Sequence, residues 1–227
     1  MPVRLLAETV GTFAVTLTAV CVDVSFFTGS GADYASRWLA RAFVTAAAIY
    51  ALSDLSGAHL SPAVTVGFAL RGVFRWLDAL AYTGAQLLGA LLATLAALAV
   101  YGSRVALGAS HPGPTIAPFA AFGFEAILTF VVMLVILLTA EQKPAVGKQA
   151  ALAVGFAIGA CGFFAGPISG ASMNPARSVV PQLLTGQFGL IWIYIAGPLL
   201  GAALAVGVQR LLCGPPTAAE RSAARGR

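Results

Sequence analysis

Two polar phrases interrupt an otherwise apolar chain: SGAHLSPAVT, beginning at Ser56, and SGASMNPARS, beginning at Ser169. Each carries a polar residue before Pro-Ala, namely Ser61-Pro62-Ala63 in the first and Asn174-Pro175-Ala176 in the second. Proline suits the first turn of a helix, where its missing N–H is no loss. Asn or Ser just before it is a favourable N-cap. Each phrase therefore predicts a helix whose positive end begins at the polar residue. Asn174 can cap with its oxygen and offer amide N–H groups to a water or hydroxyl, whereas Ser61 caps with a hydroxyl and supplies one donor in place of two. Arg177 follows within the second phrase, and an arginine inside a membrane-like segment is costly enough to be functional by default. This chemistry recognises a neutral molecule and repels a cation. The sequence shows no nucleophile–base set, and it suggests neither metal, cofactor nor enzyme activity.

The surrounding elements must hold these phrases inside a membrane. Apolar residues make up 59% of the 227 and charged residues only 9%, too few to cover a soluble surface. Apolar runs predict six spans at approximately 5–27, 37–55, 80–101, 121–140, 149–166 and 190–212. The first contains Glu8 and is too long for a signal core, so it reads as a retained helix. Two apolar pieces, 62–70 and 175–184, are only half the needed length and begin at the two phrases. Short, proline-interrupted segments at matching places in two halves point to a permeation site. The halves match elsewhere too: Glu8, Thr12 and Phe13 recur as Glu125, Thr129 and Phe130. Three spans per half is an odd number, so the second half enters the membrane inverted and the two short helices meet near mid-depth. The expected architecture is all-α: six transmembrane helices plus two re-entrant half-helices in an inverted repeat. The channel domain is expected over 1–215, with halves of about 1–115 and 116–215, followed by a solvated, cytoplasmic basic tail at 216–227.

Positive charge sets the orientation. With both termini cytoplasmic, Arg4, Arg71, Arg75, Lys143, Lys148, Arg210 and the tail arginines up to Arg227 lie inside, leaving Arg37, Arg41, Arg104 and Arg177 towards the outside. The net charge of +5 is assigned to loops and tail, not to nucleic-acid binding. Cys21, Cys161 and Cys213 are isolated and read as small apolar side chains. The short termini suit a bacterial plasma membrane.

With its two inverted halves and paired boxes, the chain resembles the major intrinsic protein family of aquaporins and glycerol facilitators. The resemblance extends to AETVGTF at the start, to Tyr82 with Gln86 and Gly89, and to WIYIAGPLLGA in the last span. It implies a pore through each protomer, a homotetramer in membrane lipid, and passage of water and small neutral solutes. It also implies a selectivity filter of Arg41, Gly162, Ala171 and Arg177. Gly162 and Ala171 are small, as in the wider, solute-conducting members. Ser178 resembles water channels instead. Arg41 is unusual: it either lines the filter, or a one-residue slip brings Ala42 or Phe43 there. Glu8, Glu125 and His59 resemble residues that brace the re-entrant loops, although the carboxylates could also relay protons. Asp54 is a candidate partner for Arg71 or Arg75. Two rival functions remain at this stage, a coupled secondary transporter and a non-conducting scaffold of the same fold.

Overall fold

Inside a bilayer every backbone polar group needs an internal partner, so long apolar runs in this chain form helices. The computed structural model describes residues 1–140 and 144–226; Lys143, the side chain of Lys148 and Arg227 lie outside the described part. Among the described residues six helices are long and apolar enough to cross a membrane, and no strand occurs. They are α1 (Pro2–Phe27), α2 (Tyr34–Ser56), α4 (Trp76–Tyr101), α5 (Pro118–Ala140), α6 (Pro144–Ser169) and α8 (Ile191–Cys213). The half-helices α3 (Pro62–Arg71) and α7 (Pro175–Leu184) have ten residues each. At 1.5 Å per residue each covers roughly 15 Å, half a bilayer core. Five of the six expected spans begin three to five residues late and the last begins one residue early, since a helix can start ahead of its apolar run. In α2, for example, Asp33 accepts from the Ser36 amide at 2.7 Å and its own amide donates to the Ser36 hydroxyl, a capping box three residues ahead of the predicted start.

The two halves pack by the same device. A Cβ on Gly89 of α4 would lie 2.3 Å from the Thr9 carbonyl oxygen of α1. One on Gly201 of α8 would lie 2.2 Å from the Ala126 oxygen of α5. Only glycine lets these backbones approach, as is common where membrane helices cross closely. The loops that enter α3 and α7 repeat one another in dihedrals as well. Gly57, Ala58 and Leu60 have φ of 87°, 47° and 53°, and Gly170, Ala171 and Met173 have 81°, 41° and 55°. Left-handed backbone at an alanine, leucine or methionine costs on the order of 1–3 kcal/mol each, so each loop must be held from outside.

The chain end departs from expectation. Within the basic tail, Ala218–Arg225 form a helix, α9, started by a capping box between Thr217 and Glu220 and exposed apart from Glu220 and Ala224. Glu220 and Ala224 are fully buried. Arg71 donates to both Glu220 carboxylate oxygens, from Nε at 2.8 Å and from Nη2 at 3.2 Å, and from Nη1 to the Gly214 oxygen at 2.8 Å. The suggested pairing of Asp54 with Arg71 or Arg75 is therefore wrong for Arg71, whose donors point to α9, while Arg75 has Asp78 at 4.0 Å. The physical reason is tertiary: α9 carries little apolar area, but it offers a buried carboxylate to Arg71, which lies far away along the chain. Burial alone raises the Glu220 pKa, but hydrogen bonds from Arg71 and Thr217 outweigh it and hold the carboxyl below its ordinary value.

Candidate functional site

The starts of α3 and α7 meet. Asn174 Oδ1 accepts from the amides of Ala176 at 3.1 Å and Arg177 at 3.4 Å, which caps α7. Its Nδ2 donates to the Leu60 carbonyl oxygen at 2.7 Å, which ties α7 to the loop preceding α3. One N–H of the carboxamide remains for a solute, not two. Ser61 behaves differently from the sequence expectation: its hydroxyl caps nothing, is buried, and has no hydrogen-bond partner. Its backbone is as extended as that of Asn174, with φ of −152° against −145°. What it lacks is the second polar arm that anchors Asn174 across the junction, so nothing locks its rotamer towards the α3 amides. Pro62 and Pro175 occupy the first helical positions, and Ala63 and Ala176 are completely buried behind them.

Each loop is held by one glutamate. Glu8 Oε1 accepts from the Ser56 hydroxyl at 2.7 Å and the His59 amide at 2.9 Å. Its Oε2 accepts from the Leu60 amide and Gln86 Nε2, both at 2.8 Å. Glu125 accepts from the Ser169 hydroxyl at 2.7 Å and the amides of Ser172 and Met173 at 2.9 and 2.8 Å. Charged hydrogen bonds stabilise by about 1.5–3 kcal/mol each, enough to offset the left-handed residues. Tyr82 and Tyr194 add matching bonds to the Ser56 and Ser169 carbonyl oxygens, each at 2.8 Å. His59 Nε2 lies 2.9 Å from the Ala224 carbonyl oxygen and so must donate. Its Nδ1, 3.1 Å from the Thr65 hydroxyl, is left to accept. His59 thus joins the first loop to α9.

Towards the end of the bundle away from the termini, a charged cluster forms around Asp23 of α1. Arg37 Nε bonds Asp23 Oδ1, and Arg41 Nη2 bonds Oδ2. Arg177 Nη2 donates to the same Oδ2 at 2.7 Å, while its Nη1 bonds the Ser110 hydroxyl. Ser178 contacts both Ser110, at 2.5 Å, and Ser172. It is fully buried, so it braces the Arg177 loop instead of facing a solute. The one-residue slip at Arg41 does not occur: Arg41 is buried in the cluster, whereas Phe43 is 61% exposed on the bundle's outer surface.

Gly162 is the correction at the filter. It does not line the pore cavity. A Cβ there would sit 2.0 Å from Trp38 Cε3, because the completely buried Trp38 ring fills the space that glycine leaves. The Arg41 guanidinium lies 4.4 Å from the same ring's centroid, a cation–π contact that adds to its positioning. Gly162 therefore makes room for an arginine's platform and not for a wider passage. Sequence reasoning missed both Asp23 and Trp38. The signal for Asp23 was a lone acid at the far end of an apolar span, with Arg37 and Arg41 one helical turn apart on the next.

Two cavities flank the cluster. One, of about 520 Å³, runs from Arg41, Ala171 and Arg177 past Ser61 and Asn174 to Asp54 and to Ser222 and Gly226 of the α9 segment. The other, of about 320 Å³, opens at the opposite end and is lined by Asp23, Arg37, Ser110 and His111. They share no lining residue, and the bonded Asp23, Arg41 and Arg177 stand between them.

A membrane bundle with an internal cavity that reaches the junction of two facing half-helices has the build of a passive channel for water and small solutes. The family model of the major intrinsic proteins matches residues 3–208, and the chain belongs to that family, whose members are channels and not enzymes. Aquaporin NIP1-3 of Oryza sativa subsp. japonica is 36% identical over 212 residues, covering 92% of this chain and 73% of its own. Aquaporin NIP1-2 of the same organism is 36% identical over 218 residues, covering 92% and 71%. Among solved structures, the aquaglyceroporin from Plasmodium falciparum superposes with a TM-score of 0.84 at 24% identity, over 92% of this chain and 96% of that one, which shows the fold. The rival reading as a coupled transporter yields to this membership in a family of channels. These plant relatives give no support to a bacterial inner membrane.

Proposed function

We propose that the channel passes water and small, uncharged, glycerol-like solutes and excludes protons and cations at two levels. At the midplane, α3 and α7 present their positive ends and one free N–H of Asn174. Beyond it, Arg41, Ala171 and Arg177 form the filter, with Gly162 acting through Trp38. Glu8, Glu125 and His59 hold the loops, with their polar atoms engaged by loop, α9 or neighbouring side chains. The observation that carries this reading is the Asn174 Nδ2 bond to the Leu60 oxygen, which makes the two half-helix starts one site.

The arginines at the termini face favour a cytoplasmic location for both ends. We take residues 1–215 as the channel domain, divided near 115 into inverted halves, with 216–227 following it. Exposed apolar side chains such as Leu80 and Phe156, 70% and 65% exposed in the single chain, suit lipid or neighbouring protomers of a homotetramer.

Stopped-flow swelling and shrinkage of proteoliposomes across water, glycerol, urea and larger polyols tests the proposal. Fast, non-saturating flux independent of a proton gradient is expected, with Arg177→Ala admitting larger solutes or cations. Flux no faster than empty liposomes for every solute overturns it.

A further inference from the structure

The only acid in the filter cluster is Asp23, and its surroundings are lopsided. Three guanidinium groups, those of Arg37, Arg41 and Arg177, bond one carboxylate, and none of the four side chains is more than 7% exposed. Two other acids lie in that half of the bundle: Asp33 is engaged in the capping box of α2, and Glu125 has both oxygens committed to the re-entrant loop. The nearby end of α7 adds further positive potential. Such a passage draws small anions, as rings of arginine do in anion pores. Two donors, Arg41 Nη2 and Arg177 Nη2, converge on the single oxygen Oδ2. Guanidinium groups so arranged would hold a nitrate or formate as readily as a side-chain carboxylate. Asp23 already occupies that place, between the two cavities.

We propose that Asp23 is a specificity-determining residue of the filter: its carboxylate takes the anion site formed by Arg41 and Arg177 and so keeps small oxyanions out of the pore. Arg41 is then tolerable in the filter because Asp23 offsets its charge and the Trp38 ring packs against its guanidinium. A solute in transit meets guanidinium N–H groups as donors, while the site shared by Arg41 and Arg177 is already filled by Asp23 Oδ2. This rests on the channel reading above, but its test does not depend on flux alone.

The probe is nitrate, read in two ways on the purified full chain in proteoliposomes. Water permeability is compared in sodium nitrate and in iso-osmotic sucrose. Separately, the fluorescence lifetime of Trp38, which touches Arg41, is followed in a Trp76→Phe/Trp192→Phe background. Parent protein is expected to give equal permeability in both media and a nitrate-independent lifetime. Asp23→Asn is expected to bind nitrate saturably, with a shortened Trp38 lifetime and water permeability altered about twofold or more; Asp23→Glu restores the parent behaviour. Asp23→Asn/Arg41→Gln removes one charge of each sign and is expected to ignore nitrate. A folded Asp23→Asn with no lifetime response overturns the proposal. So does a nitrate response in the double variant, which serves where the single one does not fold. A parent without flux, beside lifetimes that follow this charge pattern, would count against the channel and not against Asp23.

Discussion

Asn174 donates from Nδ2 to the Leu60 oxygen at 2.7 Å, and the structurally equivalent Ser61 returns no bond. The midplane is thus held from one side. Ser61→Asn supplies the missing cap and a second donor, so it is expected to stabilise the protein by about 1 kcal/mol. It is also expected to change the ratio of water to glycerol permeability. Unaltered thermal unfolding together with unaltered permeability would show that this position reaches neither the α3 amides nor the lumen.

Glu8→Ala strips two buried amides and two side-chain donors of their acceptor at once. With about 1–3 kcal/mol for each polar group left unpaired, a loss of roughly 3 kcal/mol or more is expected. Glu125→Ala should behave alike. Thermal unfolding in detergent measures both, and a loss below about 1 kcal/mol would contradict the bracing role.

Gly89→Leu and Gly201→Leu drive side chains into main-chain atoms only 2.3 and 2.2 Å from the new Cβ. Backbone cannot yield as a side-chain tip can, so each is expected to lower the yield of folded protein severely, by the cost of overpacking and more. Gly84, with nothing within 4 Å of an added Cβ, serves as the control and should accept alanine. Size-exclusion profiles of the three variants provide the comparison.

Arg71 and Glu220 bind α9 to the bundle. The Glu220 carboxyl is held below its ordinary value of 4.5 by Arg71 and Thr217. A depressed folded value means the stabilisation is present above the unfolded pKa and disappears as pH falls through the folded one. Docking of α9 should therefore be constant near neutrality and weaken only in acid below about 4.5. Glu220→Gln is expected to loosen it near neutrality and to remove the acid dependence. Hydrogen exchange over Ala218–Arg225 reports the change. Exchange that slows in acid, once corrected for its intrinsic pH dependence, reverses the sign and refutes the assignment.

Gly162→Ala pushes against the Trp38 ring, which carries Arg41. Solute selectivity should shift in the same sense as in Arg41→Ala, although residue 162 does not line the cavity. Parent-like selectivity in Gly162→Ala, beside an altered Arg41→Ala, would break the link through Trp38.

The parts legible beforehand were those whose cause is local. Spans follow from runs of apolar residues, and the half-helices follow from Ser61-Pro62 and Asn174-Pro175, because hydropathy and proline geometry act within a turn or two. The inverted arrangement followed from counting spans between two copies of one phrase. The helix Ala218–Arg225 was not legible, since it has charge enough to look solvated and is buried only where Glu220 meets Arg71. Nor was the role of Gly162, whose small size was read as open space when a neighbouring helix supplies the ring that fills it.

From its order of residues alone, then, this chain was bound to be a helical membrane bundle broken twice by short, proline-started stubs. Tertiary structure decided what those stubs face. Asp23, Arg41 and Arg177 stand on three different helices, and their charges interact across space at distances that only packing sets. Coulombic and cation–π energies depend on separation and burial, and neither is written in the spacing of residues along a chain.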